Sequence, residues 1–212
     1  MSTFKSLHPT DFIGRTQQIG KSLDMRLVKL SKDANPIERR WLFSGPPGVG
    51  KSTLAHALGI RAAKDTLAME CVIGTHLSID LIRQWKDAGK YVRPLLGDWT
   101  VKIVDEIDTV LAGNLVELRD FLDWLPAGHL LIATTNKGPK ELPQPLQSRF
   151  MVQWFCKVEP KEIVNWLIWR HHIPPKVAQQ IIDDHATSGC DGDVRAAETD
   201  ALNWLRMKEA EV

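Results

Sequence analysis

Apolar residues along the chain switch between two spacings. Ile19, Leu23, Leu27 and Leu30 recur at three- and four-residue steps with charged residues between them, which predicts a helix over residues 16–32. Asp33-Ala34-Asn35-Pro36 ends it, because proline lacks the amide hydrogen that a helix interior needs. Residues 1–15, with His8-Pro9 inside them, carry no such period and read as an irregular arm. Trp41-Leu42-Phe43 is a short unbroken apolar run, the pattern of a strand buried on both faces. A glycine-rich turn follows it, then a helical pattern over 52–63. Further strand runs fall at 67–73, 101–104, 129–135 and 151–155, with helical patterns at 80–89 and 110–124 between them. Strands alternating with helices predict an α/β fold with a five-stranded parallel sheet covered on both faces. Beyond Phe155 the strand signal stops, and 160–171, 174–185 and 194–208 all read as helix. The chain therefore divides into a core over 1–156 and a small all-helical domain over 157–212. Ile163, Trp166, Leu167, Ile181, Ile182, Leu202 and Leu205 are the expected interior of the second.

With 212 residues, 43% of them hydrophobic, the chain can bury one sizeable core and a small second lobe. A formal net charge of +1 gives no global basic field, so any nucleic-acid contact must come from a local patch. Cys71, Cys156 and Cys190 are far apart and form no Cys-x-x-Cys pair. That spacing argues against a disulfide framework or a zinc site and fits a reducing cytosol. The N-terminal residues hold no apolar run of signal-peptide type, and no stretch reaches the ~18 apolar residues of a membrane span. The expected location is cytoplasmic, or nuclear in a eukaryote, with no membrane partner. Among the tryptophans, Trp124, Trp154, Trp166 and Trp204 fall at core spacings, while Trp85, Trp99 and Trp169 are candidates to face a partner. His171, His172 and His185 lack a metal-ligand companion set and read as surface or packing residues.

The chemistry begins at Gly45-Pro46-Pro47-Gly48-Val49-Gly50-Lys51-Ser52, which satisfies G-x-x-x-x-G-K-[ST] after a strand and before a helix. Its glycines let backbone amides wrap phosphates, and the helix N-terminus adds positive dipole. Lys51 is expected on the β- and γ-phosphates of ATP, and Ser52 on Mg²⁺. Val101-Lys102-Ile103-Val104 then ends in Asp105-Glu106. Asp105 is the expected second Mg²⁺ ligand, and Glu106 the base that orients and polarises the attacking water. Asp108 reads as a cap for the helix after it.

Further segments carry a family resemblance. Leu131-Ile132-Ala133-Thr134-Thr135-Asn136, Leu146-Gln147-Ser148-Arg149-Phe150, Gly192-Asp193-Val194-Arg195 and Asp11-Phe12-Ile13-Gly14 follow in AAA+ order around the Walker A loop and the Asp105-Glu106-Ile107-Asp108 Walker B box. The chain resembles AAA+ ATPases over nearly its whole length. It is most similar to the clamp-loader ATPase subunits of tailed phages and the small subunits of archaea and eukaryotes. That resemblance implies a catalytic set of Glu106, Asn136 at the end of the sensor-1 strand, Arg149 as an arginine finger into a neighbouring subunit, and Arg195 as the sensor-2 arginine. It implies an ATP-binding set of Phe12, Ile13, Gly45, Pro46, Gly48, Val49, Gly50, Lys51, Ser52, Thr53, Asp105 and Val194. Ile79-Asp80-Leu81-Ile82-Arg83-Gln84-Trp85-Lys86 resembles the helix that tracks DNA inside the clamp-loader spiral, which implies phosphate contacts from Thr75, Arg83, Lys86 and Lys90. For each of these the alternative is a solvated helix face, and Asn136 also suits a turn that merely ends a strand.

Two features depart from the clamp-loader pattern. Ile73-Gly74-Thr75-His76 stands where those subunits carry an Asn-led segment, and the sequence reaches Val212 directly after the lid, where they continue into a helical collar. The implied function is an ATP-hydrolysing motor of DNA replication, working as a ring or spiral on DNA and a sliding clamp. A helicase loader, whose partner would be a replicative helicase, is one alternative. An ATP-switched scaffold or another remodelling or recombination factor is the other.

Overall fold

The computed structural model describes residues 7–8, 11–64, 66–91, 99–190 and 192–210, and most of the arm expected at 1–15 lies outside them. The unbroken apolar run around Trp41 forms β1 (Arg40–Ser44). The other strands are β2 (Met69–Ile73), β3 (Thr100–Asp105), β4 (His129–Thr135) and β5 (Met151–Trp154). They form one parallel sheet in the order β2-β3-β4-β1-β5. β4 thus stands between the strand that leads into the phosphate loop and the strand that ends in Asp105.

Alternation along β1 sends neighbouring side chains to opposite faces. Trp41 and Phe43 join Ile103, Phe155 and the inner faces of α1 (Gly14–Lys29) and α2 (Lys51–Ala63), where Ile19, Leu23, Leu54 and Leu58 are buried. Leu42 joins Val104, Leu131 and the inner faces of α3 (Ile79–Tyr91) and α4 (Leu115–Trp124), where Ile82, Trp85, Leu118 and Phe121 are buried. A short α5 (Gln144–Gln147), absent from the sequence reading, precedes β5. The chain then forms α6 (Pro160–His171), α7 (Pro175–Ser188) and α8 (Val194–Ala210), which share a separate apolar cluster including Val158, Ile163, Leu167, Ile181, Ile182, Ala197 and Ala201. No helix of the described residues is long and apolar enough to cross a membrane.

Several expectations change. The helix expected over 110–124 begins only at Leu115, because 3-10 turns at Ile107–Thr109 and Ala112–Asn114 precede it. Gly113 weakens the helix there, and the Asn114 side chain donates to the Leu77 carbonyl at 2.7 Å instead. Leu202 is partly exposed, not interior: the buried stripe of α8 runs through Ala197 and Ala201, with Val194, Trp204 and Leu205 packed beside it. Trp85 and Trp99 are buried rather than partner-facing. Trp85 lies one helical turn from Ile82, meets the Phe121 ring at 5.7 Å between centroids and donates its indole N–H to Glu70 at 2.8 Å. Trp124 and Trp154 are exposed instead, at the C-terminal ends of α4 and of the edge strand β5, where the elements leave the core. Trp169 is exposed as expected.

Candidate functional site

β1 ends in Ser44, and the chain turns sharply through the phosphate loop into α2. The turn needs glycine. Gly48 has φ 75°, and a β-carbon there would stand 2.0 Å from Asp193 Oδ1. At Gly45 a β-carbon would meet the Phe155 carbonyl oxygen at 2.2 Å. The loop is further tied down by the buried Thr16, whose hydroxyl donates to the Val49 carbonyl at 2.7 Å.

Lys51, the first residue of α2, folds its ammonium back over the loop. Its Nζ donates to the Gly45 carbonyl at 2.8 Å, the Pro46 carbonyl at 2.5 Å and Asn136 Oδ1 at 2.9 Å. Asn136, the first residue after β4, is therefore bonded directly to the lysine that starts α2, rather than serving only as a turn former. Burial, then the nearby positive charge of Arg195, push Lys51 down to about 8, against the opposing pull of Asp105, Asp108 and Asp193.

Asp105 ends β3 beside the loop. Burial alone pushes its carboxyl up, but contacts with His56, the Thr134 hydroxyl and the Ser52 hydroxyl outweigh burial and hold it below its ordinary value. The Thr134 bond is 2.9 Å. Thr134 Oγ1 also accepts the Glu106 amide at 3.2 Å, so one hydroxyl fixes both acids. Glu106 has φ 54° and ψ 51°, left-handed backbone that costs a non-glycine residue about 1–2 kcal/mol. Thr109 holds it there by donating its hydroxyl and its amide to the Glu106 carbonyl, both at 2.8 Å. The carboxylate of Glu106 is exposed and makes no hydrogen bond or ion pair among the described residues. Asp108 is not a helix cap. It accepts the Thr135 hydroxyl at 2.7 Å and lies 3.6 Å from Lys137 Nζ, because a 3-10 turn rather than a full helix follows β3.

The start of α8 closes over the loop. The Arg195 amide donates to the Gly48 carbonyl at 3.4 Å, and Asp193 Oδ1 caps the helix by accepting the Ala196 amide at 3.0 Å. Between the loop and the start of α8 lies a cleft of about 400 Å³ walled by Phe12, Ile13, Val49, Gly50, Thr53, Val194 and Arg195, among others. Sequence reading missed Thr16, Trp166, Arg170 and Glu198 in that wall. It also missed His56, although a position four residues after Ser52 on one helix face was a usable signal.

Arg149 is elsewhere. It makes a two-pronged pair with Asp123, both bonds 2.8 Å, and donates to the Pro145 carbonyl at 2.6 Å, with no bond to its own phosphate loop among the described residues. Of the residues assigned to DNA, Thr75 is exposed in the turn Gly74–His76. Arg83 and Lys86 converge on Glu117 of α4, at 3.8 and 2.9 Å, which offsets part of their charge. The Lys90 side chain lies outside the described residues.

The lowered lysine has a measurable consequence. Phosphates stabilise the ammonium, so ATP affinity is expected to be flat below pH 8 and to fall by up to about tenfold per unit above it. Fluorescent-nucleotide titration from pH 7 to 9.5 reads this slope, and Lys51→Arg, whose guanidinium keeps its proton, is expected to abolish it. An unchanged slope in Lys51→Arg would assign the titration to another group.

Comparison with known proteins follows the same lines. Residues 41–158 match the family described as ATPase family associated with various cellular activities (AAA). The chain is 32% identical over 150 residues to the replication factor C small subunit of Saccharolobus solfataricus, a stretch covering 68% of this chain and 44% of that protein. Its counterpart in Thermofilum pendens is 31% identical over 184 residues, covering 80% and 52%. The Holliday junction branch migration complex subunit RuvB of Campylobacter concisus is 29% identical over 184 residues, covering 76% and 52%. The chain thus spans about half the length of the curated relatives it matches. Among solved structures, the Thermotoga maritima RuvB Holliday junction branch migration motor matches with a TM-score of 0.58 at 18% identity, over 96% of this chain and 74% of that one, which is a likeness of fold.

Proposed function

The chain belongs to the AAA family of ATPases, and from that membership we propose that it is a Mg²⁺-dependent ATP-hydrolysing motor of DNA replication with a clamp-loader-like cycle. The observation that carries the catalytic part is the meeting of Lys51, Asn136, Ser52 and Asp105 at the ends of three neighbouring strands. The residues fit the nucleotide and its ion. The Ser52 hydroxyl and the Asp105 carboxylate whose charged form it favours are hard oxygen donors of the kind Mg²⁺ takes. The Lys51 ammonium is held by carbonyls that phosphate oxygens would replace. Mg²⁺ bound there would neutralise charge on the β- and γ-oxygens.

Lys51 then binds the phosphates, Asn136 holds Lys51 in place, and Glu106 orients and deprotonates the attacking water. Arg195, on a lid formed by residues 157–212, reaches the γ-phosphate in cis, and Arg149 reaches that of a neighbouring subunit in a ring or spiral. Supporting the replication role are the replication factor C small subunits, at 31–32% identity over 68–80% of this chain. The DNA-moving alternative, a branch-migration motor, is favoured by the RuvB relatives at 27–29% identity.

The test is co-purification from the source organism with a Glu106→Gln form that holds the ATP-bound assembly, with partners identified by mass spectrometry. A sliding clamp or clamp-loader subunits among the partners is the expected result. A replicative helicase without a clamp would make the protein a helicase loader. Four-way junction binding with neither would favour branch migration.

A further inference from the structure

We propose that His56, Cys71 and Asp105 form a binding site for a thiophilic divalent ion of the zinc class, and that its occupation withdraws Asp105 from the phosphate site and stops ATP turnover. The metal site stands on the geometry alone; the inhibition rests on the assignment of Asp105 to the ATP site.

The cysteine spacing along the chain offers no metal motif, yet the fold assembles one. β2 and β3 pair in register with Cys71 beside Ile103 and Ile73 beside Asp105. Cys71 and Ile73 are two residues apart, so Cys71 and Asp105 lie on the same face of the sheet. That is the face α2 covers, and α2 brings His56 there one turn after Ser52.

His56 Nε2 is 3.4 Å from Cys71 Sγ and 3.8 Å from Asp105 Oδ2, and Cys71 Sγ is 4.0 Å from Asp105 Oδ2. Ligands at the usual zinc distances, about 2.3 Å for sulfur and about 2.0–2.2 Å for nitrogen and oxygen, sit about 3.4–3.6 Å apart around a tetrahedron. The three donors therefore need to close by only a few tenths of an ångström. Cys71 is exposed on the edge strand of the sheet, which gives an ion a route in.

The donor set also selects. A thiolate and an imidazole suit zinc and its neighbours, whereas Mg²⁺ prefers oxygen ligands and keeps its water. Binding forms three bonds, from the metal to His56 Nε2, Cys71 Sγ and Asp105 Oδ2. The thiol proton, and the imidazole proton where Nε2 carries one, leave to solvent, and nothing is oxidised or reduced. Water fills the fourth position. An Asp105 carboxylate turned toward this ion is no longer available beside Ser52, so the ion and ATP-bound Mg²⁺ compete for one side chain.

The test uses the full chain without nucleotide. Zn²⁺ is titrated against a chromophoric chelator, and Co²⁺ serves as a spectroscopic probe whose thiolate charge-transfer band reports cysteine ligation. The expected result is one ion per chain and a charge-transfer band. Cys71→Ser should remove the band and weaken Zn²⁺ binding by more than about tenfold, since even outer-shell partners of metal sites are worth about 10–100-fold. A Cys156→Ser/Cys190→Ser double variant should do neither. His56→Asn is the second variant, for use if circular dichroism shows Cys71→Ser misfolded.

A band that persists in Cys71→Ser, or Zn²⁺ binding that ignores both variants, overturns the site. In the turnover arm, Zn²⁺ should inhibit at Mg-ATP near its KM, with the inhibition weakening as Mg-ATP is raised, and Cys71→Ser should relieve it at least about tenfold in Zn²⁺ concentration. Zn²⁺ binding through Cys71 without inhibition would overturn the competition while leaving the metal site. A chain with no turnover at all would count against the ATPase reading and not against the site, which the binding arm reads independently.

Discussion

Glu106→Gln is expected to lower ATP turnover of the assembled protein by about 10²–10⁴-fold, the usual worth of a positioned general base, or about 3–5 kcal/mol of barrier. ATP affinity is expected to stay within about threefold, which is less than 1 kcal/mol. The asymmetry follows from how the residue is held. Its backbone is fixed in a left-handed conformation by Thr134 and Thr109, and the Gly74 backbone leaves no room beside it: a β-carbon there would stand 2.4 Å from the Glu106 carbonyl oxygen. The carboxylate itself is exposed and is not bonded to Lys51 or Asn136. Glutamine keeps the shape and the backbone and removes only the ability to take a proton, so binding survives and chemistry does not. Steady-state phosphate release at saturating ATP, beside equilibrium nucleotide titration, separates the two. Unchanged turnover would remove Glu106 from the role of base. Negligible turnover in the unsubstituted assembly, with or without DNA, would support a nucleotide-switched scaffold instead.

The parts of this site that were legible in the sequence are those whose signal is local. The phosphate loop needs its glycines at fixed offsets, and β3 and β4 are mainly apolar runs that lead into Asp105 and Asn136, the residues proposed for ATP chemistry. What was not legible is what two distant segments make together. Thr134 reads as one more residue of a buried strand, yet it bridges Asp105 and Glu106 across the sheet. Cys71 has no motif partner along the chain, and only strand register sets it beside Asp105. Apolar spacing also cannot say where an element runs out of neighbours, which is why Trp124 and Trp154 emerge at exposed ends while Trp85 lies beneath α4. Asp108 was misjudged because a cap presumes a helix, and a 3-10 turn follows β3.

Arg149→Ala is expected to cost about 10³-fold or more in turnover of the assembled protein, the lower end of what an arginine supplied in trans contributes. Within one chain Arg149 is engaged with Asp123, whose carboxyl it holds below its ordinary value. That pair does not lock the arginine away. Asp123 is half exposed, and a two-pronged charged pair is worth about 1.5–3 kcal/mol, above the about 0–1 kcal/mol of an ordinary surface pair. A stabilisation of about 4–7 kcal/mol at the transition state outweighs it. On the proposed role, leaving Asp123 for a neighbour's γ-phosphate costs the guanidinium less than it gains there. Mixing gives the decisive reading. Glu106→Gln subunits supply an intact Arg149, and Arg149→Ala subunits supply an intact Glu106. Only where the first abuts the ATP site of the second does a complete site exist. Phosphate release from a one-to-one mixture should then exceed that of either variant alone by well over the mean of the two. A mixture that gives only the mean would mean that Arg149 acts within its own chain or not at all, and that turnover does not depend on the neighbour.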